Sequence, residues 1–210
     1  MKGLMALVWA ASLASADGPR VFYSRLLAGG VPPYVEITVE RDGRAVYREA
    51  PDDRDDKPIE FRLRPHEVDE IFSLVEKVGY FRKPLESGLK VANTGLKTFR
   101  YIDQGQTSEV KFNYSQDPHA RLLADWFARM IETEQHYINL ERTVRFDKLG
   151  VNKVLLQLQA SMERNRLVAP DQFLPFLERI AAGESYLNMA RERAAALAGF
   201  IRAGDGQARK

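Results

Sequence analysis

The chain has 210 residues, of which 45% are hydrophobic and 29% are charged, with 31 basic and 29 acidic side chains. Lys and Arg are interleaved with Asp and Glu along the whole sequence, and this mixed pattern argues against a nucleic-acid partner. The chain has no cysteine, which excludes disulfides, cysteine nucleophiles and a lipid-modified N-terminal cysteine.

Residues 1–16 have the pattern of a secretory signal peptide. One Lys precedes an apolar run over residues 4–13, and a small-residue cleavage site ends at Ala16. A membrane-spanning helix needs about 20 apolar residues, and this run is shorter. We therefore expect an exported protein, periplasmic or extracellular, with no stable membrane insertion after cleavage. The alternative is an uncleaved segment that tethers the protein to the membrane surface.

Residues 34–49, YVEITVERDGRAVYRE, predict a β-hairpin, because apolar and polar residues alternate on both sides of an Asp-Gly pair. A two-residue turn would place Ile37 opposite Arg48. A three-residue loop with a left-handed Gly43, a G1 bulge, would instead place Ile37 opposite Tyr47. We predict the bulged register, because it gives one apolar face and one face of opposite charges.

The next segment, PDDRDDKP, clusters four carboxylates between two prolines. Calcium prefers such clusters, so Asp52, Asp53, Asp55 and Asp56 are candidate metal ligands. The segment lacks the Gly and the distal Glu of an EF-hand loop. A solvated connector is therefore the favoured interpretation.

A strand, a helix and a second hairpin are predicted next. Residues 59–64 alternate between apolar and charged side chains, as in a half-buried strand. Pro65 begins a helix, and Gly79 ends it in the left-handed cap position. The segment LKTFRYIDQGQTSEVKFNY predicts a hairpin with the two-residue turn Gln104-Gly105.

The rest of the sequence is helical. Asp117 and Pro118 begin a long helix whose aromatic-rich stripe we expect to cover the sheet. From Thr143 onward the periodicity predicts helices only. We predict an α+β fold, with an antiparallel sheet of about five strands covered by two helices and followed by an all-helical C-terminal extension. The expected parts are a signal peptide over 1–16, an α+β domain over 17–143, a helical extension over 144–204 and a disordered tail over 205–210.

Three stretches, YVEITVERDGRAVY, EFRLRPHEVDEIFSLVEKVGYF and TFRYIDQGQTSEVKFNY, follow one another between about residues 20 and 140. Their order resembles an uncharacterised family of secreted bacterial domains of unknown function, in which Ser usually caps the helix where this chain has Arg64. The family has no established activity, so the resemblance implies no functional residue. The segment FLPFLERIAAGESYLNMARERAAALAGFI, residues 173–201, resembles one HEAT-type helical hairpin. Because a single repeat is not stable alone, we expect a helical pair docked on the preceding domain.

Two histidines are the candidate catalytic residues. His66 and His119 each follow a Pro that begins a helix, where the helix dipole disfavours the imidazolium, so either could act as a neutral base in a cleft. Exposed first-turn side chains are the favoured interpretation. His136 has acidic neighbours but no second His four residues later. The sequence contains no HExxH, P-loop, dinucleotide-binding or G-x-S-x-G motif, and it indicates no cofactor.

These features favour a non-catalytic exported module of the bacterial envelope, either for interaction or as a scaffold. The expected partner is another envelope protein, bound through the helical C-terminal third or through a strand edge. The alternative is a secreted or periplasmic hydrolase that uses a His or a carboxylate pair. The sequence favours a non-catalytic protein over an enzyme, and it does not indicate the oligomeric state.

Overall fold

The computed structural model describes residues 18–207, so the predicted signal segment lies outside the described residues. The strands are β1 Arg20–Leu26, β2 Tyr34–Glu40, β3 Arg44–Arg48, β4 Ile59–Arg62, β5 Leu96–Asp103 and β6 Gln106–Phe112. The helices are α1 Pro65–Lys77, α2 Pro118–Phe146, α3 Val151–Glu163, α4 Leu174–Ala182 and α5 Asn188–Gln207, with a short 3₁₀ helix, Pro170–Phe173, before α4. The strands form one antiparallel sheet in the order β4-β3-β2-β1-β5-β6. The predicted α+β class is confirmed.

The sheet has one strand more than the five predicted. β1 pairs with β2 on one side and with β5 on the other, so it joins the two hairpins at the centre of the sheet. In the sequence of β1, the apolar Phe22 stands between the buried Val21 and Tyr23. The alternation of apolar and polar residues that marks a strand is therefore interrupted. The Arg100 guanidinium covers the Phe22 ring at 4.8 Å on the opposite face of the sheet.

Both hairpins have the predicted registers. In the first, Ile37 lies opposite Tyr47, and Gly43 has a φ of 90°. This is the bulged register. In the second, Gln104 and Gly105 have φ angles of 47° and 77°, as a two-residue type I′ turn requires. The turn chemistry in the sequence was therefore sufficient to set both registers.

The first hydrophobic core lies between the sheet and the helices α1 and α2. Leu123, Phe127 and Met130 of α2 are fully buried, and Phe127 stacks on Tyr23 of β1 with the ring centroids 4.6 Å apart. The predicted role of the α2 stripe as a cover for the sheet is confirmed. Burial of each large side chain contributes about 1.5–3 kcal/mol.

A second hydrophobic core lies among the C-terminal end of α2 and the helices α3, α4 and α5. α2 contributes Leu140 and Val144 to this core, so one continuous helix connects the two cores. The loop after α3 returns to the first core through Val168 and Ala169. The helical extension is therefore docked on the α+β domain, and α5 continues to Gln207, three residues into the predicted tail.

Candidate functional site

The two candidate histidines lie at the starts of different helices. His66 is exposed and lines a cleft between α1, α2 and α5. Among the side chains of residues 18–204, no carboxylate hydrogen-bonds its imidazole. His119 lies beside its own helix cap, with Nδ1 3.7 Å from Asp117 Oδ1. That oxygen also accepts hydrogen bonds from the His119 and Ala120 N–H groups.

The four aspartates of the connector do not converge. Asp56 Oδ2 forms an ion pair with Arg48 Nε at 2.8 Å, and Asp53 Oδ1 accepts the Asp55 N–H at 2.9 Å. In the part of the chain that the structure describes, no group of three or more His, Asp or Glu side chains could hold a metal ion. These contacts stabilise a turn and tie it to β3.

A polar network between α2 and α3 contains the third histidine, His136, for which the sequence motifs indicated no role. Ser161 in this network is buried, and Glu132 and His136 are half-buried. Ser161 Oγ donates to Glu132 Oε1 at 2.8 Å and lies 2.9 Å from His136 Nε2. Burial lowers the pKa of His136, so its ring is neutral at pH 7. The spacing of Glu132 and His136, four residues apart on one helix, was the sequence signal for their common face.

The direction of these hydrogen bonds determines their chemistry. Burial opposes ionisation of Glu132, but hydrogen bonds from Ser161 and Arg166 outweigh it, so the pKa of Glu132 lies below its ordinary value. Since Ser161 gives its single proton to this carboxylate, His136 Nε2–H must donate to Ser161. His136 therefore cannot remove the serine proton, and the network differs from a catalytic triad, in which His lies between Ser and the acid.

A second set of contacts fixes the helical extension to the start of α1. The Arg64 guanidinium binds both carboxylate oxygens of Asp171, at 2.7 and 3.0 Å. Glu67 is buried, and its carboxylate accepts the Arg64 N–H at 2.8 Å and the Ala169 N–H at 3.0 Å. Ala169 has a left-handed φ of 49°, which costs an L-residue about 1–2 kcal/mol. Arg64, at the helix-cap position, thus joins the two parts of the molecule.

Glu134 and Gln172 form a third contact in this junction. Glu134 is fully buried, and Gln172 Nε2 donates to its Oε1 at 2.9 Å. Glu134 Oε2 and Gln172 Oε1 are both buried and have no hydrogen-bond partner among the described residues. Burial raises the pKa of Glu134 to about 8. The acid is therefore mainly neutral at pH 7.

Two concave surfaces lie side by side next to these contacts. We call the first the junction cleft; its volume is about 190 Å³, and its walls include Arg64, His66, Trp126, Arg129, Asn165 and Leu167. The second, the α3–α5 groove, has a volume of about 500 Å³ and is lined by Gln159, Met162, Glu163, Met189, Glu192, Arg193, Ala196, Leu197 and Phe200. Met162 and Phe200 line both surfaces, which are therefore adjacent.

Comparison with known proteins adds no assignment. No family model matches the sequence, and the search of curated proteins gives no significant match. The resemblance to secreted bacterial domains and the HEAT-type resemblance both stay predictions. Within residues 18–207, no helix is long and apolar enough to cross a membrane.

Proposed function

We propose that this protein is a non-catalytic interaction module of the bacterial envelope, and that its α3–α5 groove binds an apolar helical segment of another envelope protein. The observation that carries the proposal is the exposure of large apolar side chains along the groove. Met189 and Phe200 keep 55% and 64% of their surface accessible. The pattern of a signal peptide in residues 1–16 supports export.

The groove has the features of a helix-binding surface. Met189, Ala196 and Phe200 follow one face of α5, and Met162 of α3 forms the facing wall. Leu197 beneath them is buried in the second core, which holds the groove floor rigid. Methionine side chains adapt to partners of different shape, and contiguous exposed apolar surface typically marks an interaction site.

Three charged side chains line the groove, the acids Glu163 and Glu192 and the base Arg193, which donates hydrogen bonds to Asn152 and Gln159. Glu163 accepts a hydrogen bond from the Gln159 amide at 2.8 Å, and Glu192 accepts one from the Asn188 amide at 2.7 Å. Among the described residues, neither carboxylate forms an ion pair. A partner helix with Lys or Arg beside its apolar stripe would place a cation opposite each carboxylate.

The hydrolase alternative has less support. His66 and His119 lie on different helices, and neither is oriented by an acid from another element. Ser161 donates its proton to Glu132 rather than to His136. An interaction module does not require a catalytic histidine or serine.

Site-specific photocrosslinking in cells of the source bacterium tests this proposal. A photoreactive phenylalanine analogue is placed at Met189, and at Leu122 of α2 as a control that is equally exposed, at 56%, but lies outside the groove. We expect a discrete product from position 189 and not from position 122. The crosslinked peptide should carry an apolar helical stripe flanked by Lys or Arg.

A second substitution tests whether the groove itself is responsible. Phe200→Glu, combined with the probe at Met189, should abolish the product, whereas Leu122→Glu should leave it unchanged. Identical products from both probe positions, no product from position 189, or a crosslinked peptide without the apolar and basic pattern would each contradict the proposal.

A further inference from the structure

The junction cleft contains hydrogen-bond donors that the protein itself leaves unused. Arg129 donates to the Leu167 carbonyl at a long 3.5 Å, and its guanidinium lies 4.4 Å over the Trp126 ring. Among the side chains of residues 18–204, no carboxylate forms an ion pair with Arg129, and His66 and Asn165 form no side-chain hydrogen bond. Three donor side chains therefore line one small cleft without a protein acceptor of comparable strength.

Glu67 in the wall of the cleft and Asp171 beside it already accept hydrogen bonds from other donors. Glu67 accepts the N–H groups of Arg64 and Ala169, and both oxygens of Asp171 accept hydrogen bonds from Nε and Nη2 of Arg64. Neither acid is therefore available to Arg129. The cleft keeps a cation that is partly desolvated by stacking on Trp126 and that has no anionic partner among the side chains of residues 18–204.

We propose that the junction cleft binds a monocarboxylate that carries an apolar group, with Arg129 holding the carboxylate. A planar guanidinium matches a carboxylate through paired N–H donors, and stacking on Trp126 holds that plane in place before the ligand arrives. His66 and Asn165 supply further donors at the wall. Leu167, Met162 and Phe200 provide the apolar surface for the remainder of the ligand.

The size of the cleft limits what it can hold. Its volume of about 190 Å³ is below the roughly 300–1,000 Å³ of pockets that enclose drug-sized ligands. It is suited to a small free acid or to the last residue of a peptide chain, which share the same chemistry. Because Met162 and Phe200 also line the α3–α5 groove, a chain end in the cleft could continue into that groove. The carboxylate site does not depend on the groove being occupied.

Titration with three small probes, followed by NMR, tests the site and separates the two sources. Phenylacetate represents a free acid, N-acetylphenylalanine represents a chain end, and N-acetylphenylalanine amide lacks the carboxylate. The indole N–H signal of Trp126, one of two tryptophans in the chain, reports binding. We expect saturable shifts with an acid at millimolar concentration and at least about tenfold weaker binding of the amide. Saturation by phenylacetate alone assigns a free acid, and saturation by N-acetylphenylalanine assigns a chain end.

Variants identify the group that holds the carboxylate. Arg129→Gln should weaken acid binding by about tenfold or more, whereas Arg121→Gln, an exposed arginine on the same helix, should not change it. Asn165→Asp places a competing carboxylate in the cleft and should weaken binding similarly without removing the Arg129 stack.

Three results would overturn the proposal. These are no saturable shift of Trp126 with either acid, equal binding of the acid and the amide, and unchanged affinity in both the Arg129 and the Asn165 variants. Loss of crosslinking at Met189 would not affect this test, since the probes enter the cleft and not the groove.

Discussion

Replacement of Glu134 by Gln should make the protein more stable at alkaline pH. The pKa of this fully buried carboxyl rises to about 8 in the folded protein, from an ordinary value of 4.5. The folded state therefore holds its proton more tightly than the unfolded state does. The resulting stabilisation is complete below pH 4.5 and is lost as the pH rises through about 8.

The magnitude follows from the two pKa values. Between them, the free energy of unfolding falls by about 1.4 kcal/mol for each pH unit. Over the interval from 4.5 to about 8, the total loss is on the order of 5 kcal/mol. Gln at position 134 keeps a carbonyl oxygen that can accept the hydrogen bond from Gln172 Nε2. The variant cannot ionise.

Urea denaturation at pH 5, 6, 7 and 8, followed by tryptophan fluorescence, measures this effect. The two proteins should differ little at pH 5, and Glu134→Gln should exceed the wild type by several kcal/mol at pH 8. Glu141→Gln, an exposed residue on the same helix, is the matched control and should leave the profile unchanged. A difference that does not vary with pH, or a variant less stable than the wild type at pH 8, would refute the reasoning.

Three further substitutions test the contacts that hold the fold, each by urea denaturation. Asp171→Asn removes the carboxylate from the Arg64 guanidinium and should destabilise the protein by about 1–2 kcal/mol, after allowance for solvent at this partly exposed pair; an unchanged midpoint would contradict the assigned docking contact. Ser161→Ala removes the partner shared by the half-buried Glu132 and His136 side chains and should cost about 1–2 kcal/mol; a neutral result would place water in the network. Gly43→Ala puts a Cβ at a φ of 90°, 3.1 Å from a backbone carbonyl, and should cost about 1–2 kcal/mol. Its control is Gly199→Ala, within α5 and with no atom near the added Cβ, which should stabilise by about 1 kcal/mol; loss of stability in both would point to a general effect of the methyl group.

The alternative functions differ in which residues they need. The proposed binding module depends on the exposed surface of α5, which takes no part in the His136 network. A hydrolase would need a base that receives a proton, and the Ser161 hydrogen bonds run in the opposite direction. Substitutions in the groove, the cleft and the network therefore report on separate properties.

Local sequence determined the registers and the helix starts. Gly43 and Gly105 allow left-handed turns at no steric cost, and Asp117 accepts the first N–H groups of α2. These effects act over a few residues, so they can be recognised without knowing the fold. Strand β1 could not be recognised in this way. Its apolar and charged residues do not alternate cleanly, and its place follows from pairing with strands on both sides.

Tertiary structure alone decided the junction and therefore the candidate sites. Glu67 and Ala169 are 102 residues apart in sequence, and Arg64 and Asp171 are 107 apart. The sequence alone does not show whether a carboxylate or a guanidinium is solvated or buried. Its partners are set by how helices from distant segments pack, because burial is what makes an unpaired polar group costly and a paired one specific. Local sequence thus determined most of the elements. Packing determined the place of β1, which polar side chains meet, and that Arg129 has no carboxylate partner among the side chains of residues 18–204.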